Sequence, residues 1–132
     1  SVLPAGTRLA VRKTANLRRD SIALQRGLQL NVSLKGDEAA FYRIYDHDGQ
    51  RQTALVLLNK GDQPARMRVS DYLESGSWRD AFTGKTQRVR RQLQADVPAH
   101  GVRVFFFDGE LRRQDIQERL QALMQRKSPF NE

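Results

Sequence analysis

The most hydrophobic part of the chain consists of two runs, Phe41–Asp46 and Arg51–Asn59, which flank a short polar loop. The loop contains Asp48-Gly49, and these residue types tolerate the positive φ of a tight β-turn. The pattern therefore predicts a β-hairpin. Within its second strand, Ala54–Leu58 shows no polar alternation, so both sides of that strand are expected to be covered, as in the middle of a sheet. A buried helix would give the same run, but the run is short and a turn cluster follows it.

Other strands are indicated by alternation and by turn residues between segments. The segments Leu28–Leu34, Ala65–Val69 and Gln92–Val97 alternate between apolar and polar residues, which is typical of a strand with one buried face. Val102–Asp108 is expected to be a second strongly buried strand, and the polar segment Thr86–Arg91 is expected at an edge. Seven or eight strands without helices between them predict an all-β fold, an antiparallel Greek-key β-sandwich. A parallel sheet would need crossover helices.

Helical segments are expected at the two ends of the chain, and Ser70–Leu73 is expected to be a single helical or turn-like segment. Near the N-terminus the sequence permits one or two short helical pieces, such as Arg19–Gln25, ended by Gly27. Near the C-terminus, helical spacing of apolar residues predicts an amphipathic helix that a Ser-Pro pair ends. Asp115 and Arg119 are expected to pair across one of its turns. The apolar stripe consists of Ile116, Leu120, Leu123 and Met124.

These elements divide the chain into three parts. Residues 1–27 are the partly helical end of a preceding domain or a linker, residues 28–108 form the β-sandwich domain, and residues 109–132 form a C-terminal amphipathic helix and tail. A length of 132 residues suffices for about one domain. No run approaches the roughly 18 apolar residues of a membrane span, so no membrane partner is expected. The absence of cysteine excludes disulfides but leaves the compartment open.

The formal net charge is +8, from 23 Lys and Arg against 15 Asp and Glu, which suggests nucleic-acid binding as one alternative. The basic residues are scattered along the chain with acidic residues between them, rather than gathered with aromatic residues in one block. This distribution favours arginines on the solvent faces of strands and helices. No nucleic-acid partner is expected, and a basic nucleic-acid-binding β domain is the last of the alternatives.

Residues suited to catalysis or metal binding are few. His47 lies between Asp46 and Asp48, but the Glu that would complete a calcium loop is missing, so a hairpin tip explains this group better. His100 lies in a turn sequence. No phosphate-binding glycine loop, nucleophile elbow or metal-ligand spacing occurs. The sequence predicts no catalytic, cofactor-binding or metal-binding residues, although a carboxylate pair that meets only in space stays open.

Tyr72 and Trp78 are the candidate contact residues. An amphipathic ring offers a large contact area with a polar edge, so these two side chains are suited to bind a sugar or a neighbouring domain. They would serve a stand-alone carbohydrate-binding β-sandwich module, which is an alternative function of the chain. The other interpretation places Trp78 in the core at a corner of the sandwich.

Several motifs follow one another in an order that resembles a known domain. The chain has a hydrophobic strand ending in Asn59, a W-x-D-x-x-T-G corner, an alternating strand and a P-x-x-G-x-x-V entry into the last strand. This order resembles the C-terminal β-sandwich domain of the α-amylase superfamily, glycoside hydrolase family thirteen. Upstream, Leu17–Gly27 is similar to the segment that ends the catalytic barrel in that family. The matching segments are Phe41–Tyr45, Leu55–Asn59, Met67–Leu73, Trp78–Gly84, Leu93–Val97 and Pro98–Val104.

The resemblance leans towards cyclomaltodextrinase, neopullulanase and cyclodextrin glucanotransferase, also called cyclomaltodextrin glucanotransferase. In that family the catalytic carboxylates lie on the β/α barrel, and no segment here matches the motifs that hold them. The resemblance therefore implies a non-catalytic C-terminal accessory domain of a bacterial-type enzyme that acts on α-glucans or cyclodextrins. Its implied partner is the catalytic β/α barrel of the same parent chain, which it stabilises, with an α-glucan as a second candidate. The helix after Asp108 extends beyond the usual end of the family pattern.

Overall fold

The structure, a computed structural model, describes residue 12 and residues 15–32 and 35–127. Some predictions fall outside these ranges. They concern the start of the N-terminal helical segment, Leu34 at the end of the first predicted strand, and the helix stop at Ser128-Pro129. The helices are α1 (Ile22–Arg26) and α2 (Gln114–Lys127), and residues 15–20 are also helical. None of the described helices is long and apolar enough to cross a membrane.

Eight strands dominate the described residues: β1 (Leu28–Val32), β2 (Glu38–His47), β3 (Gln50–Asn59), β4 (Ala65–Val69), β5 (Gly76–Asp80), β6 (Thr86–Val89), β7 (Leu93–Val97) and β8 (Gly101–Phe107). Six of them form a sheet in the order β1-β2-β3-β8-β5-β6, and β4 pairs with β7 in a second, small sheet. All these pairings are antiparallel. The predicted all-β antiparallel sandwich with a C-terminal helix is confirmed.

Strand β3 lies inside the large sheet, between β2 and β8. Residues 53–57 are all buried, so the prediction of a strand covered on both sides is confirmed. At the hairpin tip, Asp48 and Gly49 have φ angles of 52° and 79°, the positive values that a two-residue turn requires. Strand β6 lies at an edge of the sheet, as its polar sequence predicts.

The inner face of the six-stranded sheet is the side that β4, β7 and α2 cover. Its largest fully buried side chains include Tyr42, Leu57, Trp78 and Phe105, and Met67 of β4 packs against them. Burying a large apolar side chain stabilises a fold by about 1.5–3 kcal/mol. The inner face therefore forms the main core.

The outer face is the opposite side of the same sheet, where Ala54 and Phe106 pack against α1. A helix of five residues is not stable alone in water, so its attachment to the sheet holds it in place. Ser21 caps the helix, since its Oγ accepts a hydrogen bond from Leu24 N at 3.1 Å. The same hydroxyl donates to Gln52 Oε1 of β3 at 2.8 Å. The cap and the attachment to the sheet therefore share one side chain.

Helix α2 is attached to the inner core through its first half. Ile116 is 1% exposed within the core, and the Glu74 carboxylate accepts hydrogen bonds from the backbone N–H groups of Arg112 and Arg113, both at 2.9 Å. The second half differs, because Met124 is 61% exposed. The predicted apolar stripe is thus covered only in part.

The predicted ion pair between Asp115 and Arg119 is wrong. Asp115 instead accepts two hydrogen bonds from Arg113, at 2.9 and 2.7 Å. Arg113 is held in this position because it also donates to the Leu73 carbonyl at 3.2 Å. The hydrogen bond from Arg113 is the main reason that the pKa of Asp115 lies below its usual value.

Candidate functional site

Trp78 is a core residue. Its side chain is 0% exposed, and its ring stacks on Phe107 with the ring centroids 5.1 Å apart. The indole Nε1 donates to the Glu74 carbonyl at 2.9 Å, so its polar edge is satisfied inside the fold. The ring therefore has no face open to a sugar or a second domain. Of the two interpretations that the sequence allows, the structure supports the core position.

Tyr72 lies in the turn after β4 and is partly buried against the margin of the inner core. Its φ is 58°, an uncommon value for a residue with a side chain. Because Trp78 is enclosed, the two residues do not form a shared aromatic surface. A contact role of Tyr72 stays a prediction.

The W-x-D-x-x-T-G motif forms a tight corner after β5. Asp80 Oδ1 accepts hydrogen bonds from the backbone N–H groups of Phe82 at 2.8 Å and Thr83 at 3.0 Å. Its Oδ2 accepts two more from Arg103, the shorter at 2.7 Å. Gly84 completes the corner with a φ of 76°, which glycine adopts at little cost. Both oxygens of Asp80 are therefore committed to the fold.

Asp80 also lines a groove of about 540 Å³ beside the start of β8. Burial alone would raise the pKa of the Asp80 carboxyl, but the hydrogen bonds from Thr83, Phe82 and Arg103 outweigh it, and the pKa lies below its usual value. An ionised carboxylate with this many donors is unsuited to act as a general acid or base. The residues that line the groove include no His, Cys, Ser or Glu.

Asn59, which ends the hydrophobic strand, joins several loops. Its Nδ2 donates to the carbonyl oxygens of Gln63 at 2.8 Å and of Val97 and Pro98 at 3.2 Å each. The P-x-x-G motif is equally structural, because a Cβ at Gly101 would lie 2.7 Å from the Pro98 carbonyl oxygen. The motif residues on which the resemblance depends thus shape the ends of the sandwich.

The two histidines lie in turns. His47 Nε2 is 3.1 Å from Asp48 Oδ2 at the exposed hairpin tip. His100 Nε2 is 2.6 Å from Asp62 Oδ1, a contact that sequence reasoning missed because the two residues are 38 positions apart. In the described part of the chain, no group of three or more His, Cys, Asp or Glu is arranged to hold a metal ion.

The outer face carries a group of side chains that are only partly buried. Phe41, Arg43 and Tyr45 alternate along β2, so their side chains lie on the same side of the sheet. Leu58 of β3 and Leu17 of the helical residues 15–20 are partly buried on this side as well. These five residues are termed the outer patch. Sequence reasoning used this part of β2 to predict a hairpin and as one of the segments that carry the resemblance, but it did not predict this surface, although the alternation was the signal.

Arg43 occupies the centre of the β2 part of the outer patch. Its Nε donates to the Gly27 carbonyl at 2.9 Å, which orients the guanidinium, and its neighbours on this face of β2 are Phe41 and Tyr45. Burial lowers the pKa of Arg43, and the neighbouring Arg18 guanidinium lowers it further. Aromatic residues and Arg are the types most enriched at protein–protein interfaces. The arrangement is therefore suited to contact with another protein surface.

Comparison with solved structures gives matches to parts of glycoside hydrolases. For α-galactosidase I from Mortierella vinacea the identity is 24% over 75% of this chain and 28% of that chain, with a TM-score of 0.57. For an Anoxybacillus α-amylase the identity is 19% over 76% of this chain and 22% of that chain, with a TM-score of 0.61. For a GH27 β-L-arabinopyranosidase from Geobacillus stearothermophilus the identity is 16% over 63% of this chain and 20% of that chain, with a TM-score of 0.53. No protein-family model matches the chain, and no curated protein does.

The fold is thus a β-sandwich of the type that occurs within glycoside hydrolases. At these identities the likeness shows the fold alone. The chain spans between 20% and 28% of the lengths of these three enzymes. Because α-galactosidases match along with α-amylases, the likeness in fold does not single out family thirteen.

Proposed function

We propose that this chain is a non-catalytic accessory domain of a glycoside hydrolase, which packs against the catalytic β/α barrel of the same parent chain and stabilises it. The proposal rests on the outer face of the six-stranded sheet. The six-stranded sheet has an apolar cluster on each side, and such a sheet needs a covering layer on both. Among the described residues, the inner side has a small sheet and α2, whereas the outer side has only short helical pieces.

The substrate class is the finer part of the proposal. The order of the sequence motifs favours a family-thirteen parent enzyme acting on α-glucans or cyclodextrins, and the fold of an Anoxybacillus α-amylase segment is compatible with it. Leu17–Gly27, which resembles the end of a barrel, supplies helical residues to the outer face. The chain would then follow the barrel directly and cover its last helices.

The carbohydrate-binding alternative is weakened by the position of Trp78. A binding module of this kind presents aromatic rings at its surface, and Trp78 has no exposed ring face. Tyr72 alone offers one partly buried ring. The accessory role explains more of the structure, because it assigns a contact function to all five residues of the outer patch.

Thermal unfolding of the parent barrel tests the proposal. We expect the barrel to unfold at a higher temperature when this chain is present, and Leu58→Asp to remove the gain because it places a charge in the outer patch. Arg68→Asp alters an exposed residue of β4 and is the control, so it should leave the rise in the barrel's unfolding temperature unchanged. A barrel whose unfolding temperature is the same with and without the chain would contradict the proposal.

Two further observations bear on the absence of catalysis and on parentage. The isolated chain should not hydrolyse starch or cyclodextrin, and measurable hydrolysis would overturn the accessory role.

The residues encoded immediately upstream of Ser1 would test the parentage. A β/α barrel with three catalytic carboxylates there would support a glycoside hydrolase, and an unrelated domain would oppose it.

A further inference from the structure

The charges around the outer patch are one-sided. The first 19 residues of the chain contain no Asp or Glu, and their basic residues are Arg8, Arg12, Lys13, Arg18 and Arg19. Arg26 adds a cation at the end of α1, and Arg43 adds one on β2. Asp20 is the only carboxylate in residues 1–36. Among the described residues, Arg18, Arg19, Arg26 and Arg43 therefore make the side that carries the short helical pieces and the middle of β2 basic.

Leu17 packs on the outer face together with Phe41 and Tyr45, so the adjacent Arg18 is brought to the side of the sheet that carries Arg43. In agreement with this position, the positive charge of Arg18 lowers the pKa of Arg43. Within the described residues, neither forms an ion pair with a carboxylate. Residues 1–11 and 13–14 contain no acidic residue, so they have no carboxylate to offer. In the part of the chain that the structure describes, Arg18 and Arg43 thus lie at the edge of an apolar surface without a carboxylate partner.

Covering this surface with a second domain would remove water from Arg43. An arginine that loses water without gaining an acidic partner destabilises the complex, whereas a carboxylate with good geometry offsets that cost. The guanidinium is already oriented by its hydrogen bond to the Gly27 carbonyl. An oriented guanidinium is well suited to bind a carboxylate through two parallel hydrogen bonds.

We infer that the surface docking on the outer patch is acidic and presents at least one carboxylate to Arg43 and Arg18. This inference rests on the proposed accessory function and specifies the chemistry of the partner surface. The apolar part of the patch provides contact area, and the two arginines determine the orientation of the barrel on the sheet. Charge complementarity of this kind contributes to specificity and association rate.

A protein surface fits these observations better than nucleic acid. Arg43 lies between Phe41 and Tyr45 on a sheet with an apolar cluster beneath it, so the patch combines charge with apolar contact. Binding to duplex nucleic acid is dominated by charged and polar contacts to phosphates, which use no apolar layer. The arrangement of the outer patch is that of an interface core with an arginine.

Binding of the chain to the parent barrel, measured by calorimetry at several salt concentrations, tests the inference. We expect Arg43→Gln to weaken binding about tenfold or more, and Arg18→Gln, an exposed change on the helical segment, to weaken it by a smaller factor. Arg68→Gln removes the same charge from β4 and should change the dissociation constant less than about twofold. Unchanged unfolding midpoints of the variants would show that folding is intact.

The possible outcomes separate the two proposals. If the unaltered chain binds the barrel but salt and both arginine substitutions have no effect, the inference is overturned and the accessory function stands. If the unaltered chain does not bind the barrel, both fail. If it binds a duplex DNA probe in a salt-dependent way that Arg43→Gln abolishes, and does not bind the barrel, the basic surface serves nucleic acid and the inference is wrong.

Discussion

The inner and outer faces of the six-stranded sheet are built from the same strands but are covered in different ways. Leu57 on the inner face is 0% exposed beneath the small sheet, whereas Leu58, the next residue, is only partly buried on the outer face. The inner face contains the stacked ring of Trp78, and the outer face has Arg43 between two aromatic residues. The inner face is therefore closed by the fold itself, whereas the outer face keeps partly buried side chains at its margin, which fits the proposed docking of another surface.

Trp78→Ala should have the largest effect on the inner face. Removing a fully buried indole leaves a cavity and breaks the hydrogen bond to Glu74, so the free energy of unfolding should fall by about 3–5 kcal/mol. Chemical denaturation measures this loss. Retention of the variant on a glucan resin would be uninformative if it unfolds, so stability is measured first. A stable, folded variant that loses glucan binding would restore the carbohydrate-binding alternative.

The neighbouring residues Leu57 and Leu58 give the sharpest comparison between the faces. Leu57→Ala should destabilise the isolated chain by about 2–5 kcal/mol, as is typical of a fully buried leucine. Leu58→Ala removes the same atoms from a partly exposed site and should cost about 1 kcal/mol. Urea unfolding of the two variants measures the difference. Equal losses would show that the outer face is as closed as the inner one.

Asp80 links stability to pH at the corner after β5. Its pKa is lower in the folded chain than its ordinary value of 3.8, so the unfolded chain binds more protons as the pH falls. The stabilisation is therefore present above the unfolded pKa and is lost as the pH falls through the folded pKa. Asp80→Asn should cost about 1–3 kcal/mol near neutral pH and flatten the loss of stability in acid.

The control for Asp80 is another ion-paired aspartate. Asp96→Asn removes an exposed carboxylate that lies 3.1 Å from Arg66 Nη1, and exposed pairs contribute little. This variant should keep both the stability and the pH profile of the unaltered chain. If Asp80→Asn and the unaltered chain lost stability in acid in the same way, the pKa of Asp80 would not be lowered by folding.

Met124 should show the smallest effect. It is 61% exposed on α2, so Met124→Ser should change the free energy of unfolding by no more than about 0.5 kcal/mol. Leu120→Ser, one turn earlier and packed against the inner core, should cost more. Thermal unfolding of the two variants measures where along α2 the cover of the inner face ends. A large loss of unfolding free energy for Met124→Ser would show that α2 still covers the inner core at Met124.

The sequence predicted the elements that depend on local pattern. Ala54–Leu58 reads as a strand covered on both sides because apolar residues follow one another without alternation, and β3 has that position. Asp48-Gly49 predicts the hairpin turn because its conformation depends on two residues alone. Helix α2 was predicted from the spacing of its apolar residues. In each case the determining residues are adjacent or one turn apart.

The features that were missed depend on contacts between distant residues. Asp80 meets Arg103 and Asn59 meets Val97 across 23 and 38 positions, so their structural roles could not be read from spacing. Trp78 had two interpretations, because a ring at a corner is buried or exposed according to what packs over it. The proximity of Arg18 and Arg43 arises only when the helical residues 15–20 lie on the outer face.

Methyl NMR of the leucine side chains, recorded with and without the parent barrel, tests the role of the outer face most directly. Leu17 and Leu58 lie on that face, whereas Leu57 and Leu93 lie in the inner core. If the barrel docks on the outer patch, the methyl signals of Leu17 and Leu58 should shift on its addition while those of Leu57 and Leu93 stay in place. Shifts confined to the inner-core leucines, or to none of the four, would contradict the interdomain role.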